Sequence, residues 1–335
     1  MKEFNLEKSI KEVFTTLKEK ERDILSNRFG LSGEKAKTLA SIGKNLNLTR
    51  ERIRQIQNSA LYKIKNSQNS EKVFTYVQKI EQAQGGLISV KDIEKKLETN
   101  ANYALFLMEA SKNLKKIKGH KSLSSTFIDK DLEQKDIISA ENDLIKILTN
   151  KAKAIMVENL IEIYKIKGKV NLPDETIKSL VYASASFAFD WKNRIGLSNW
   201  REINPKSARD KSHFILKKEE RPLHFTHIAE LIAEGNFVGK NPTAATVHNE
   251  LILDPRFVLV GRGIYALAEW GFKGGTVEDV IAEILRSNPK GLERDVIIEE
   301  VLKSKLVARN TVMMNLLVKK QFARDKKGLY KMANK

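Results

Sequence analysis

The chain contains no cysteine, which excludes disulfides and thiolate metal sites and gives no support to an oxidising compartment. No apolar run approaches the roughly 18 residues that mark a membrane-spanning helix. The opening MKEFNLEKSIKEVF also lacks an apolar stretch of signal-peptide length. The expectation is a cytoplasmic, nucleoid-associated protein with no membrane partner. Motifs for chemistry are equally scarce. There is no phosphate loop, no paired-carboxylate pattern and no nucleophile motif. Gly261-Arg262-Gly263 reads as a hairpin turn, far from a dinucleotide fingerprint. His224 and His227 stand three apart without the HExxH pattern or a third ligand, so they read as ordinary core or surface histidines. Trp191, Trp200 and Trp270 read as anchors of small cores rather than base-stacking platforms. The chain is therefore expected to be a non-enzyme, with no cofactor, no metal and no small-molecule substrate.

Positive charge is what the sequence has in excess. Sixty Lys and Arg against 42 Asp and Glu give a formal charge of +18, a balance that suits a polyanion, nucleic acid being the commonest. Charge alone does not separate that reading from a solvated basic surface. Hydrophobic residues at 41% and charged residues at 30% belong to a folded protein, and 335 residues suffice for roughly two to five domains.

The sharpest pattern lies in the first seventy residues. Leu6, Ile10, Val13, Phe14 and Leu17 recur at helical spacing. A second helix fits residues 20–29, with Ile24, Leu25 and Phe29 inward and Gly30 as the stop. In TLASIGKNLNLTRERIRQIQNSALYKIK, Thr38 caps a short helix with inner face Leu39, Ile42 and Leu46. Leu48 plugs the turn, and Thr49 caps the next helix. That helix sets Ile53, Ile56, Ala60 and Ile64 on one face and Arg50, Glu51, Arg54, Gln55 and Asn58 on the other. Two short helices joined by a tight turn, the second apolar beneath and polar above, is a helix-turn-helix pattern.

The polar face has major-groove chemistry. Arg holds guanine bidentately, Gln holds adenine, and Glu accepts from the cytosine amino group. Arg52, Lys63 and Lys65 are better placed for phosphates, which add affinity without sequence information. The competing reading is a solvated helix with intrahelical pairs such as Glu51 with Arg54. About fifty continuous residues, from LKEKERDILSNRFGL through RERIRQI to YKIK, resemble region 4 of the sigma-70 family. The resemblance implies that Arg50, Glu51, Arg54 and Gln55 face the bases of a −35 promoter element and that RNA polymerase core is a partner. Sigma factors melt the −10 element with a separate aromatic-rich region, and only a short helix precedes the match here. The expectation is thus an accessory or sigma-like factor rather than a complete sigma factor.

The remaining sequence suggests a mainly α fold of tandem helix-turn-helix and winged-helix domains with small β-wings. After the module at 1–68, winged-helix-like units are expected at 70–130, 139–205, 206–272 and 275–335, the second of these being the least clear. In the first, the third helix is expected over 101–117 and an edge strand over 122–128. In the second, Pro173 is expected to open a helix running through Phe189. RPLHFTHIAELI, TVHNELILD and RFVLVGRGIYALAEWG make 206–272 similar to the HARE-HTH domain of the RNA polymerase delta subunit. There Pro242 opens a helix, and Thr243, Thr246, His248, Asn249 and wing Arg262 are candidate DNA contacts; a capping threonine and surface polar residues are the alternative. In the last unit Asn310 is expected to cap the third helix. The third helices beginning at Ala101 and Thr311 start apolar, which suits burial or protein contact better than base reading. The function expected is sequence-specific duplex binding in transcription; the alternatives are the recognition part of a restriction or repair system, or an architectural DNA binder without polymerase contact.

Overall fold

The apolar spacing of the first seventy residues folds into four helices: α1 (Leu6–Phe14), α2 (Glu19–Phe29), α3 (Leu39–Asn45) and α4 (Arg50–Lys65). The computed structural model describes residues 6–235 and 237–333; the side chain of Leu6 lies outside what it describes. Within those residues the chain is mainly α, 57% helical, with 16 helices and only small antiparallel sheets. It divides into two compact units, residues 1–198 and 199–335.

In the first unit, α5 (Glu71–Ala83), β1 (Leu87–Ser89), α6 (Val90–Leu97), α7 (Ala101–Ala110), β2 (Leu114–Lys116) and β3 (Thr126–Asp129) follow the N-terminal helices. The helix expected over 101–117 stops at Ala110, where Ser111 turns extended, and the rest of that segment is β2. A short apolar run reads as helix or strand with equal ease; pairing with β3 decides it here. The strand expected at the edge is central, in the order β1-β3-β2. Then come α8 (Gln134–Lys151), α9 (Val157–Lys167), α10 (Asp174–Ala183), β4 (Phe187–Phe189) and β5 (Ile195–Leu197). Helix α8 begins at Gln134. The helix after Pro173 ends at Ala183, because Phe187-Ala188-Phe189 pairs with the strand from Ile195.

The first two parts of this unit share a core, and hydrogen bonds join the third to them. Helix α7 is apolar almost all round, and Ala104, Phe106, Leu107, Met108 and Ala110 are buried. Packed on α2 and α4, it sets the Phe106 ring 5.5 Å from those of Phe14 and Phe29. Asn102 donates to the carbonyl of Gly30 (3.1 Å) and Tyr103 to that of Leu31 (2.7 Å), fastening the elbow that leads into α3. Further along, the buried Glu141 carboxylate accepts from Ser122 (2.7 Å), Ser184 and Ser186 (2.8 Å), and Thr176 donates to the Gly85 carbonyl (2.6 Å).

The second unit holds α11 (Ala208–Glu219), β6 (Leu223–His224), α12 (Phe225–Glu234), α13 (Ala244–Leu253), β7 (Phe257–Gly261) and β8 (Ile264–Leu267), with strand order β6-β8-β7. Pro242 precedes the cap of α13 instead of opening the helix; Thr243 is the cap. Next are α14 (Val277–Ser287), α15 (Arg294–Ser304), α16 (Arg309–Val318), β9 (Phe322–Arg324) and β10 (Tyr330–Met332). Asn310 does not cap α16. The helix begins two residues earlier than that cap would set it, behind Ala308, with Arg309 paired to Asp295 at 2.5 Å. The buried Lys305 ammonium joins the two halves of this unit, donating to the carbonyls of Leu259 (2.6 Å) and Gly275 (2.7 Å). Its pKa is lowered by burial, with Asp279 acting in the opposite direction. The two apolar third helices differ: α7 is interior, whereas α16 buries Val312 and Leu316 but leaves Met314, Leu317 and Val318 exposed.

One buried acid makes the fold sensitive to pH. Glu81 on α5 is 3% exposed, and burial together with a hydrogen bond to Asp129 pushes its pKa from 4.5 up to about 8; Asp131 adds to the rise and Lys130 opposes it. A carboxyl whose pKa rises on folding contributes stability that is fully present below its unfolded pKa and is lost as pH climbs through the folded one. The window is therefore about pH 4.5 to 8. Glu81→Gln keeps a donor for Asp129 and removes the titration. In urea unfolding at several pH values, the stability of the variant relative to the parent should rise steadily across that window; parallel pH profiles would show that Glu81 is not the titrating group.

Candidate nucleic-acid interface

The helix-turn-helix is assembled on a small core of Ile24, Ile42 and Ile53, with Leu39, Leu48 and Ile56 packed against it. Thr38 and Thr49 cap α3 and α4, their hydroxyl oxygens accepting from the N–H groups of Ser41 (3.2 Å) and Arg52 (3.1 Å). The expected inner face of α4 is realised: Ile53, Ala60 and Ile64 are fully buried, and Ile56 is half-buried. Leu46 is a correction. It is the C-cap of α3 and is 38% exposed, because the chain turns outward there through Asn47 at φ +52° before Leu48 dips back to the core.

Opposite that core, Arg50, Glu51, Arg54, Gln55 and Asn58 are all exposed. Glu51, Arg54, Gln55 and Asn58, at i, i+3, i+4 and i+7, form one stripe along the helix. Glu51 holds the Arg54 guanidinium with two bonds, of 2.6 and 2.9 Å, which lower the carboxyl pKa and raise that of the guanidinium. Arg52 donates to the Gln55 side-chain oxygen at 3.1 Å. The intrahelical pairing weighed against base reading is thus present, but both partners are solvated, and a solvated pair is weak enough to yield to a base edge. The Glu51–Arg54 pair also holds an acceptor and a fork of donors side by side on the outward face.

Two expected contacts have other duties. Thr49 is occupied as a cap. Lys63 lies 2.6 Å from Glu21, a carboxylate only 11% exposed, so its ammonium ties α4 to α2 and a phosphate would have to compete for it. Burial pushes the Glu21 pKa up, but hydrogen bonds from Lys63 and the Lys18 N–H outweigh it and the net shift is downward. That pair spans 42 positions, and no local pattern marks it. Gly43 was also invisible to patterning: a Cβ there would stand 2.6 Å from the Leu48 carbonyl oxygen, so the turn closes directly over the glycine.

In the second unit, Thr243 caps α13, accepting from the Thr246 N–H at 3.2 Å, with the two hydroxyls 2.9 Å apart. Thr246 and Asn249 are exposed, and so is Arg262 at the tip of the β7–β8 hairpin. His248 turns inward, its ring 4.6 Å from Phe225 and 5.9 Å from Tyr265. His224 and His227 face different partners, Thr226 and Glu230. No group of three His, Asp or Glu suited to a metal occurs among the described residues, and no helix among them is long and apolar enough to cross a membrane.

Comparison with known proteins bears on the first of these surfaces. Residues 13–66 match the family model of sigma-70, region 4. The core, the turn and the whole polar stripe of α4 fall inside that match. The chain is 40% identical over 72 residues to RNA polymerase sigma factor SigA of Clostridium acetobutylicum, covering 22% of this chain and 19% of that protein. It is 40% identical over 72 residues to SigA1 of Synechococcus elongatus (22% and 18%), and 37% identical over 67 residues to the chloroplastic sigma factor sigF of Arabidopsis thaliana (20% and 12%). The chain thus spans about a fifth or less of these relatives.

The turn makes a direct prediction. Replacing a helical Gly by Ala normally gains about 1 kcal/mol of helix propensity, whereas forcing a methyl against a fixed backbone oxygen costs roughly 1–3 kcal/mol. Gly43→Ala should therefore lower stability in urea unfolding and weaken duplex binding with it. A more stable variant would show that the turn has room for the methyl group.

Proposed function

We propose that the chain is a sequence-specific double-stranded DNA-binding transcription protein, a sigma-like or RNA polymerase accessory factor acting at promoters. The observation that carries this is the outward stripe Glu51, Arg54, Gln55 and Asn58 with Arg50 beside it, on a helix packed and capped inside the region matching sigma-70, region 4. The N-terminal end of such a helix enters the major groove, where base edges are read. Arg54 and Arg50 take guanine, Gln55 takes adenine and Glu51 accepts from cytosine. Arg52, flanking the stripe, takes the backbone.

RNA polymerase core is the second partner in this reading, supported by the relatives' being polymerase sigma factors. The role is non-catalytic, in the cytoplasm and on the nucleoid. The parts that follow α4 repeat an order of helices closed by a short β-pairing, and we read them as winged-helix modules, residues 206–272 being HARE-HTH-like. Of the earlier candidates in that module, the exposure of Thr246, Asn249 and Arg262 supports contact with a duplex; Thr243 acts as a cap and His248 as packing.

Base reading predicts a loss of specificity ahead of affinity. Arg54→Ala or Gln55→Ala should forfeit roughly 1–3 kcal/mol of preference for the selected site, with much less lost on scrambled duplex. A competition titration with both duplexes measures this, and equal losses on the two would remove the base-reading assignment. Polymerase association is tested separately: tagged full-length chain should retain core polymerase subunits in pull-down. Specific DNA binding without polymerase retention would favour a restriction, repair or architectural role instead.

A further inference from the structure

The second unit contains a cationic cleft that no motif announces. It has a volume of about 400 Å³, lies at the start of α11, and is lined by Asn199, Arg201, Lys206, Ser207, Arg209 and Asp210 among others. Arg201, Lys206 and Arg209 bring three positive charges, all on exposed side chains. Arg201 and Lys206 have no ion-pair partner among the described residues, and Arg209 spends its Nε on Glu250 at 2.7 Å. The single lining carboxylate does not cancel this charge. Asp210 is 8% exposed, with one oxygen 3.0 Å from the Arg256 guanidinium and the other accepting from the Ser207 hydroxyl at 2.7 Å. The cleft therefore offers unneutralised donors around a polar hollow, without an aromatic or aliphatic side chain in its lining to recognise a base or an acyl chain.

We propose that this cleft is a phosphate site, and that its ligand is a phosphodiester of duplex DNA. Its position favours the backbone as the source. The Arg209–Glu250 bond ties the cleft to the middle of α13, the helix that exposes Thr246 and Asn249. A duplex lying along that stripe places one strand at Arg201 and Lys206. Such contacts set the register of the protein on DNA without reading sequence, and each neutralised phosphate adds about 0.9 to the salt dependence of binding. The inference rests on the reading of the chain as a duplex-binding protein, and adds a sequence-independent anchor remote in sequence from α4.

The test uses the full chain and a random-sequence duplex, titrated over roughly 50–200 mM salt. Arg201→Ala/Lys206→Ala/Arg209→Ala should flatten the log–log slope by about one to two. The charge-matched control Lys218→Ala/Lys290→Ala/Lys326→Ala should change it less. Lys206→Glu alone, at an exposed position without a partner to lose, should weaken binding several-fold with the fold intact. An unchanged slope in the triple variant, or an equal change in the control, overturns the site. A second arm adds inorganic phosphate and follows the thermal midpoint. A phosphate-dependent rise in the parent that the triple variant lacks, with identical DNA slopes, would assign the cleft to free phosphate and overturn the backbone assignment. No duplex binding by the parent would overturn both this site and the DNA reading, whereas lost site preference in Arg54→Ala with unchanged slopes in the triple variant would overturn the cleft alone.

Discussion

Helix α7 has apolar residues on nearly every side, and such a helix is stable only if it is covered on nearly every side. A sheet of three short strands with two helices cannot supply that cover alone. The N-terminal helices complete it, with Phe14 and Phe29 around Phe106 and hydrogen bonds from Asn102 and Tyr103 to the Gly30 and Leu31 carbonyls. The helix-turn-helix therefore does not hang on a linker. The elbow before α3 is fastened to the next part of the chain, so the orientation of α4 is tied to a core extending well beyond the region that matches sigma factors. A buried carboxylate and its serine donors extend the same unit through residue 198, and the Lys305 ammonium does the equivalent work in the second unit.

Charge is divided in the same spirit. Where a cation is structural, it is buried or paired across elements, as Lys63 is with Glu21 and Lys305 is with two carbonyls. Where it is available to a polyanion, it stands on an exposed face: Arg50 and Arg52 on α4, Arg201 and Lys206 beside α11, Arg262 on a hairpin tip. The Glu51–Arg54 pair lies between these cases, solvated enough to open and close enough to orient both groups. A total of +18 does not reveal this division, since a count of lysines cannot tell a structural ammonium from a free one.

Elements with a strong local signal were legible in the sequence. The faces of α2 and α4 follow from apolar residues at helical spacing, their limits from Gly30 and Thr49, and α6 was delimited by its strand and its turn. Legibility failed where two local choices were nearly equal. The segment after Ala110 and that after Ala183 became strands because partners at 126–129 and 195–197 were waiting for them. Ala308 rather than Asn310 precedes α16, Arg309 reaching Asp295 on the neighbouring helix. Asn310 is the better capping residue by type, but a cap is decided by where the chain enters the helix.

By itself the sequence determined the helix-turn-helix, the residues of its polar stripe and the mainly α character, because each rests on spacing within one helix or on capping residues next to it. It also ranked the apolar third helices as poor base readers. Only tertiary structure decided that one of these, α7, would be buried under the N-terminal module while the other, α16, kept Met314, Leu317 and Val318 in solvent. The same holds for Lys63, whose partner is 42 residues away, for Gly43 beneath the Leu48 carbonyl, and for the cleft that gathers Arg201, Lys206 and Arg209. Each depends on which surfaces meet after the helices have formed, and periodicity along the chain carries no record of that meeting.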